Sequence, residues 1–79
     1  MHDAPRRLDE VQARIAADLD SLPKRLRQCA DYILANFDRI AVSTVAEVAA
    51  GADVPPSAVL RFCQTIGFSG FSEMQKLLQ

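Results

Sequence analysis

Adjacent prolines at positions 55 and 56 constrain this chain more than any other feature. A residue that precedes proline is pushed out of the α region, so neither Val54 nor Pro55 can be helical. Pro56, with no N–H to offer, suits the first position of a helix. The pair therefore closes one element and opens another. Upstream, Thr44-Val45-Ala46-Glu47 is a capping box: the Thr hydroxyl can accept from the Glu47 amide while the Glu47 carboxylate reaches back. A short helix over about Val45 to Gly51 follows. Ala52-Asp53-Val54 is then a tight turn, in which Asp tolerates the left-handed conformation better than most non-glycine residues. The next helix runs from about Pro56 to Ile66, and Gly67 ends it as a left-handed cap.

The rest of the chain also reads as helix. No stretch alternates apolar and polar residues as a half-buried strand would, so the expected class is all-α. A first helix is expected from about Arg6 to Leu19, with Leu8, Val11, Ile15 and Leu19 in one narrow stripe. Such a stripe packs either on its own domain or, as in a coiled-coil seam, on a partner copy. A second helix is expected from about Pro23 to Asn36, with Leu26, Cys29, Ala30, Ile33, Leu34 and Phe37 on a broad apolar face. Residues Phe37 to Val42 read as a connector. Ser69 is placed to cap a last helix that carries Phe71, Met74, Leu77 and Leu78. The sum is a five-helix bundle, and 79 residues hold one such core, not two.

Composition excludes several functions. The one histidine, His2, falls at an end expected to fray, so no nucleophile, base and orienting group can be assembled for an enzyme. Cys29 and Cys63 lie inside apolar patterns and read as small core residues, not as a redox sensor, a disulfide framework or a zinc site. No cofactor or metal is expected. No apolar run approaches the ~20 residues that cross a bilayer, and the polar start lacks a signal-peptide stretch, so a cytoplasmic site is expected. The formal net charge of −1 points to no polyanionic partner overall. Any nucleic-acid contact must then come from local arrangement of charge.

One segment has that arrangement. Two short helices joined by a three- to four-residue turn outline a helix-turn-helix, whose second helix enters the DNA major groove. Ala49 supplies the small residue that crossing helices need, and Val45, Val48, Ala52, Val54, Val59, Phe62 and Ile66 supply the interface. Ser57, Leu60, Arg61, Gln64 and Thr65 remain outward on the second helix. Arg can bond guanine bidentately, Gln can pair with adenine, and Ser or Thr can serve either role. Between Val54 and Ser72 the only charged residue is Arg61, so no acid there repels a phosphate. Pro56 at the helix start, Thr44 at the start of the preceding helix, and the basic cluster Lys24, Arg25 and Arg27 complete the candidate DNA-binding set. A solvated basic helix end is the plainer reading of that cluster. Phe68 and Phe71 read as core aromatics that close beside Gly67 and Gly70, not as a base-stacking pair.

The residues Ala30-Asp31-Tyr32-Ile33-Leu34, Thr44-Val45-Ala46-Glu47-Val48-Ala49, Val59-Leu60-Arg61-Phe62-Cys63 and Ile66-Gly67-Phe68-Ser69-Gly70-Phe71 resemble the N-terminal domain of RpiR-family bacterial transcription regulators. The likeness runs from about Leu8 to Leu78. It implies a five-helix, homeodomain-like DNA-binding domain over 1–79. It also implies a C-terminal sugar isomerase (SIS) domain in the whole regulator, sensing a sugar phosphate or related metabolite. Family members act mostly as repressors, some as activators, of sugar catabolism genes, and work as dimers or tetramers. Two positions depart from the family. Asp53 stands where the family usually has Gly in the turn. Pro55 stands where it usually has a capping Ser or Thr, a loss that typically costs ~1 kcal/mol. Ser57 is then the hydroxyl nearest the expected DNA backbone.

The leading expectation is a homodimer, joined through the first helix, on an inverted-repeat operator of double-stranded DNA. The competing one is a helical protein-interaction or dimerisation module without DNA binding.

Overall fold

Apolar residues three and four apart put one face of each helix into a single core, and the order of the helices follows from where that spacing breaks. The structure is a computed structural model and describes residues 8–79. The expected first-helix start at Arg6 and the reading of His2 lie outside those residues. The described elements are α1 (Leu8–Asp18), a 3-10 turn (Leu19–Ser21), α2 (Lys24–Ala35), α3 (Phe37–Ile40), α4 (Val45–Ala52), α5 (Pro56–Ile66) and α6 (Phe71–Leu78). The all-α class holds.

Four boundaries differ from expectation. The α1 helix stops at Asp18 because Ser21 Oγ donates to the Asp18 carbonyl at 2.8 Å and Leu22 N–H turns back to Leu19 O, tightening the last residues into a 3-10 turn. Pro23 is the cap residue just before α2, not its first turn; its φ of −58° and ψ of 157° are extended. The connector holds a one-turn helix, α3. Asn36 interrupts α2 with φ −138° and ψ 37°, and its Nδ2 donates to Tyr32 O at 2.8 Å. The chain then re-enters helix, and Ile40 drops into the core. Four residues are too few for periodicity to reveal. Ser69 does not cap α6. Gly70 holds the cap position, while Ser69 N–H donates to Glu73 Oε1 at 2.8 Å. Burial of both Phe68 and Phe71 sets the phase that starts the helix one residue later.

The core is built around α2, which packs most extensively on α4 and α5. Cys29, Ala30 and Ile33 from α2 meet Val48 and Ala49 from α4 and Val59, Phe62, Cys63 and Ile66 from α5, all at most 2% exposed. Tyr32 lies over Gly51, where a Cβ would overlap its ring, so glycine is what lets α2 cover α4 at that point. Val11 and Ile15 of α1 are fully buried in this same core, Leu19 of the 3-10 turn is half-buried, and Leu8 of α1 is 42% exposed. The centre of the first-helix stripe is therefore used within the chain. Phe68 and Phe71 close the core, as expected.

Side-chain donors tie the helix ends down. Gln75 Nε2 on α6 donates to Ile40 O at 3.1 Å and Ser43 O at 2.6 Å, and Gln79 Nε2 donates to Ala41 O. They reach carbonyls at and just beyond the end of α3, where Ile40 O also accepts from Ser43 N–H at 3.1 Å. Arg14 Nη1 donates to Ile66 O at 3.2 Å, placing a cation at the negative end of α5.

Candidate nucleic-acid interface

The turn between α4 and α5 is set by local bonds. Thr44 Oγ1 accepts from Glu47 N–H at 3.1 Å and Thr44 N–H donates to Glu47 Oε1 at 2.8 Å, completing the capping box. At the other end of α4, Asp53 adopts φ 60° and ψ 47°. Its N–H bonds Ala50 O and the Val54 N–H bonds Ala49 O, so α4 closes in a Schellman motif with aspartate in the glycine position. Pro55 is then extended, with ψ 151°, and Pro56 opens α5. The same two bonds close α5: Gly67 N–H to Gln64 O and Phe68 N–H to Cys63 O. There Gly67 has φ 116° and ψ 6°, open to glycine and strained for other residues. Gln28 Nε2 on α2 reaches Ala52 O at 3.5 Å, a weak bond that ties the turn to the scaffold.

The α5 helix divides by face. Val59, Phe62, Cys63 and Ile66 point inward and are fully buried. Ser57, Leu60, Arg61 and Gln64, spaced three, one and three apart, form the opposite stripe and are exposed. They do not stand alone. An open hollow of about 640 Å³ runs between the start of α2 and this stripe, lined by Pro23, Arg25, Leu26, Pro55, Ser57, Ala58, Leu60, Arg61 and Gln64. A second, of about 400 Å³, is lined by Asp18, Ser21, Leu22, Pro23, Leu26, Arg61 and Thr65. Pro23, Leu26 and Arg61 line both.

The ten residues singled out in the sequence separate accordingly. Ser57, Leu60, Arg61, Gln64 and Arg25 come together around the first hollow. Thr65 lies in the second, with its hydroxyl donating to Arg61 O at 2.8 Å. Pro56 is exposed at the α5 start and lines neither hollow. The Thr44 hydroxyl is engaged in its own helix cap. Lys24 and Arg27 also line neither hollow, and Arg27 faces Asp20 at 3.8 Å in a surface pair whose two side chains are 52% and 97% exposed. Such a pair is worth little, yet it shows which way Arg27 leans. Two residues were missed. Pro55 lines the first hollow, and Asp18 lines the second together with Arg61 and Thr65. The α5 segment is free of acids along the chain, but one arrives in space from α1. No local pattern announces it.

Neither cysteine offers nucleophilic chemistry. Burial pushes Cys29 up to about 11 and Cys63 up to about 12, the latter helped by repulsion from Cys29, so both thiols keep their protons at neutral pH. Among the described residues no group of three or more His, Cys, Asp or Glu is placed to hold a metal ion. No described helix is long and apolar enough to cross a membrane.

Comparison with known proteins fits this geometry. The family model described as "Helix-turn-helix domain, rpiR family" matches residues 9–79. The crystal structure of the N-terminal domain of the transcriptional regulator ybbH from Bacillus subtilis superposes with a TM-score of 0.81 at 35% identity, covering 86% of this chain and 83% of that one. Among curated proteins, the HTH-type transcriptional regulator YbbH of Bacillus subtilis is 41% identical over 68% of this chain. An HTH-type transcriptional regulator of Haemophilus influenzae is 37% identical over 82%, and the HTH-type transcriptional regulator HexR of Pseudomonas aeruginosa is 35% identical over 86%. The alignments cover 19%, 23% and 22% of those three proteins, so this chain spans about a fifth of the length of the curated relatives it matches.

Proposed function

The chain belongs to the rpiR family of helix-turn-helix domains, and from that premise we propose that it reads duplex DNA with α5 lying in the major groove. The observation that carries this is the exposed stripe Ser57, Leu60, Arg61 and Gln64, set beside Arg25 of α2 in one hollow. Arg61 bonds a guanine edge, Gln64 an adenine or a neighbouring acceptor, and Ser57 and Arg25 reach the phosphates that border the groove. Thr65, Pro56, Thr44, Lys24 and Arg27 sit at the margin of this assignment.

The whole regulator, by its resemblance to the family, is a cytoplasmic homodimer that binds an inverted repeat. Its C-terminal SIS domain takes a phosphorylated sugar or related metabolite, and its target genes serve sugar catabolism, mostly under repression. The resemblance is the support for these points.

The test is binding by fluorescence anisotropy to duplexes enriched from a random-sequence pool, followed across salt concentrations. Arg61→Ala is expected to cost about 1–3 kcal/mol on the enriched duplex and to relax preference at one base pair. Arg25→Ala should weaken all duplexes alike and flatten the salt slope by about one unit, with a smaller effect from Arg27→Ala. Unchanged affinity of Arg61→Ala would remove α5 from its assigned role. The reading as a protein-interaction module has less behind it, because Val11 and Ile15, the centre of the stripe it needs, are fully buried in the chain's own core.

A further inference from the structure

Leu60 is one of three large apolar side chains that the described surface leaves well exposed, at 43%, and the only one of them on α5. Its position is specific. It follows Ser57 by three residues, precedes Arg61 by one and Gln64 by four, so it lies inside the polar stripe and not at its edge. It lines the same hollow as those three residues. From Ser57 to Gln64 the helix rises about 10 Å, the length of about three base-pair steps. A helix seated by Arg61 therefore carries Leu60 against a base pair as well.

Leucine has no donor or acceptor. The floor of the major groove is almost wholly donors and acceptors, and its one apolar feature is the C5 methyl group of thymine. Against a G·C pair, Leu60 would strip water from N7, O6 and N4 and return no hydrogen bond. Against thymine, methyl meets methyl, and two exposed apolar groups leave water together. We propose that Leu60 is a specificity-determining residue that selects a thymine methyl at the pair adjoining the one read by Arg61. This rests on the DNA-binding reading above and adds a base identity to it.

Deoxyuridine tests it cleanly, because it keeps every hydrogen-bonding atom of thymidine and deletes only the methyl group. The duplex enriched from the random pool is remade with deoxyuridine at one thymine at a time, and each version is titrated with the parent chain and with Leu60→Ala. At one thymine per site the parent is expected to lose about three- to fivefold in affinity, the factor that burying one methyl-sized group is worth. Leu60→Ala should bind the thymine and uracil versions equally, and it should melt as the parent does, since the side chain is not in the core. A parent indifferent to uracil at every thymine would overturn the inference and leave the DNA-binding reading standing. So would a Leu60→Ala variant that keeps the parent's full sensitivity. Failure to enrich any duplex would overturn the DNA-binding reading itself and this inference with it.

Discussion

Replacing Asp53 with glycine is predicted to stabilise the domain, and the same motif at the end of α5 gives the opposite sign. Both helices close with the same two backbone bonds and a residue of positive φ. Asp53 sits at φ 60° and ψ 47°, inside the left-handed well that L-residues can enter at about 1–2 kcal/mol, with aspartate near the low end. Its carboxylate also lies at the negative end of α4, an arrangement that costs roughly 0.3 kcal/mol at an exposed site. Glycine removes both terms but adds about 0.4–1 kcal/mol of unfolded-chain entropy. The net expectation for Asp53→Gly is a gain of about 0.3–1 kcal/mol. Gly67, at φ 116° and ψ 6°, lies outside that well. Gly67→Ala should therefore cost about 1–2 kcal/mol after the entropy gain is subtracted. For a domain of this size each kcal/mol moves the midpoint by about 4–8 °C. Thermal and urea melts followed by circular dichroism should show Asp53→Gly melting roughly 2–5 °C above the parent and Gly67→Ala roughly 5–10 °C below it. Asp53→Asn keeps the left-handed preference and deletes the charge, so it isolates the helix-end contribution. An Asp53→Gly variant that melts below the parent would refute the reasoning.

Three other outcomes are expected. Asp18→Asn removes a carboxylate that shares a hollow with Arg61 and Thr65, so it should tighten binding to every duplex about two- to fivefold at low salt and less at high salt; equal affinity would place Asp18 clear of the phosphates. Because both cysteine pKa values rise on folding from an ordinary 9.0, the folded chain holds protons that the unfolded chain releases. The cysteine contribution is thus fully present below pH 9.0 and is lost as pH rises toward about 11 and about 12. Urea midpoints should fall between about pH 8 and about pH 10.5, and less so in a Cys29→Ala, Cys63→Ala variant that folds; an equal fall in that variant would assign the loss to other groups. Leu8→Asp, at the exposed end of α1, should leave the fold intact, since an acid suits a helix N-terminus. If α1 joins two copies, sedimentation velocity should show that variant as monomer where the parent is dimer, and an undisturbed dimer would take α1 out of the interface.

The helix-turn-helix itself was legible residue by residue. The Thr44 and Glu47 box, the turn at Asp53, the extended Pro55, the start at Pro56 and the cap at Gly67 all stand where the sequence puts them. Misses occurred where the deciding contact was distant or the segment too short. The α3 turn depends on Ile40 reaching the core and on Gln75, 35 residues later, taking its carbonyl. Ser69 lost its capping role to the joint burial of Phe68 and Phe71. In the site, the inward and outward faces of α5 followed from spacing alone. The partners of that face did not.

The sequence by itself determined about where α4 and α5 begin and end and which face of α5 turns outward, because backbone dihedrals and helical period are properties of neighbouring residues. Only the tertiary structure decided that Arg25, and not Lys24 or Arg27, shares the hollow with Arg61, and that Asp18 lines the second hollow with Thr65. Those choices depend on how α1 and α2 cross α5. The crossing is set by core packing on Phe62 and Cys63 and by bonds such as Arg14 to Ile66, which spans 52 residues. Electrostatic neighbours in a fold are chosen by packing, and packing is written across the whole chain at once.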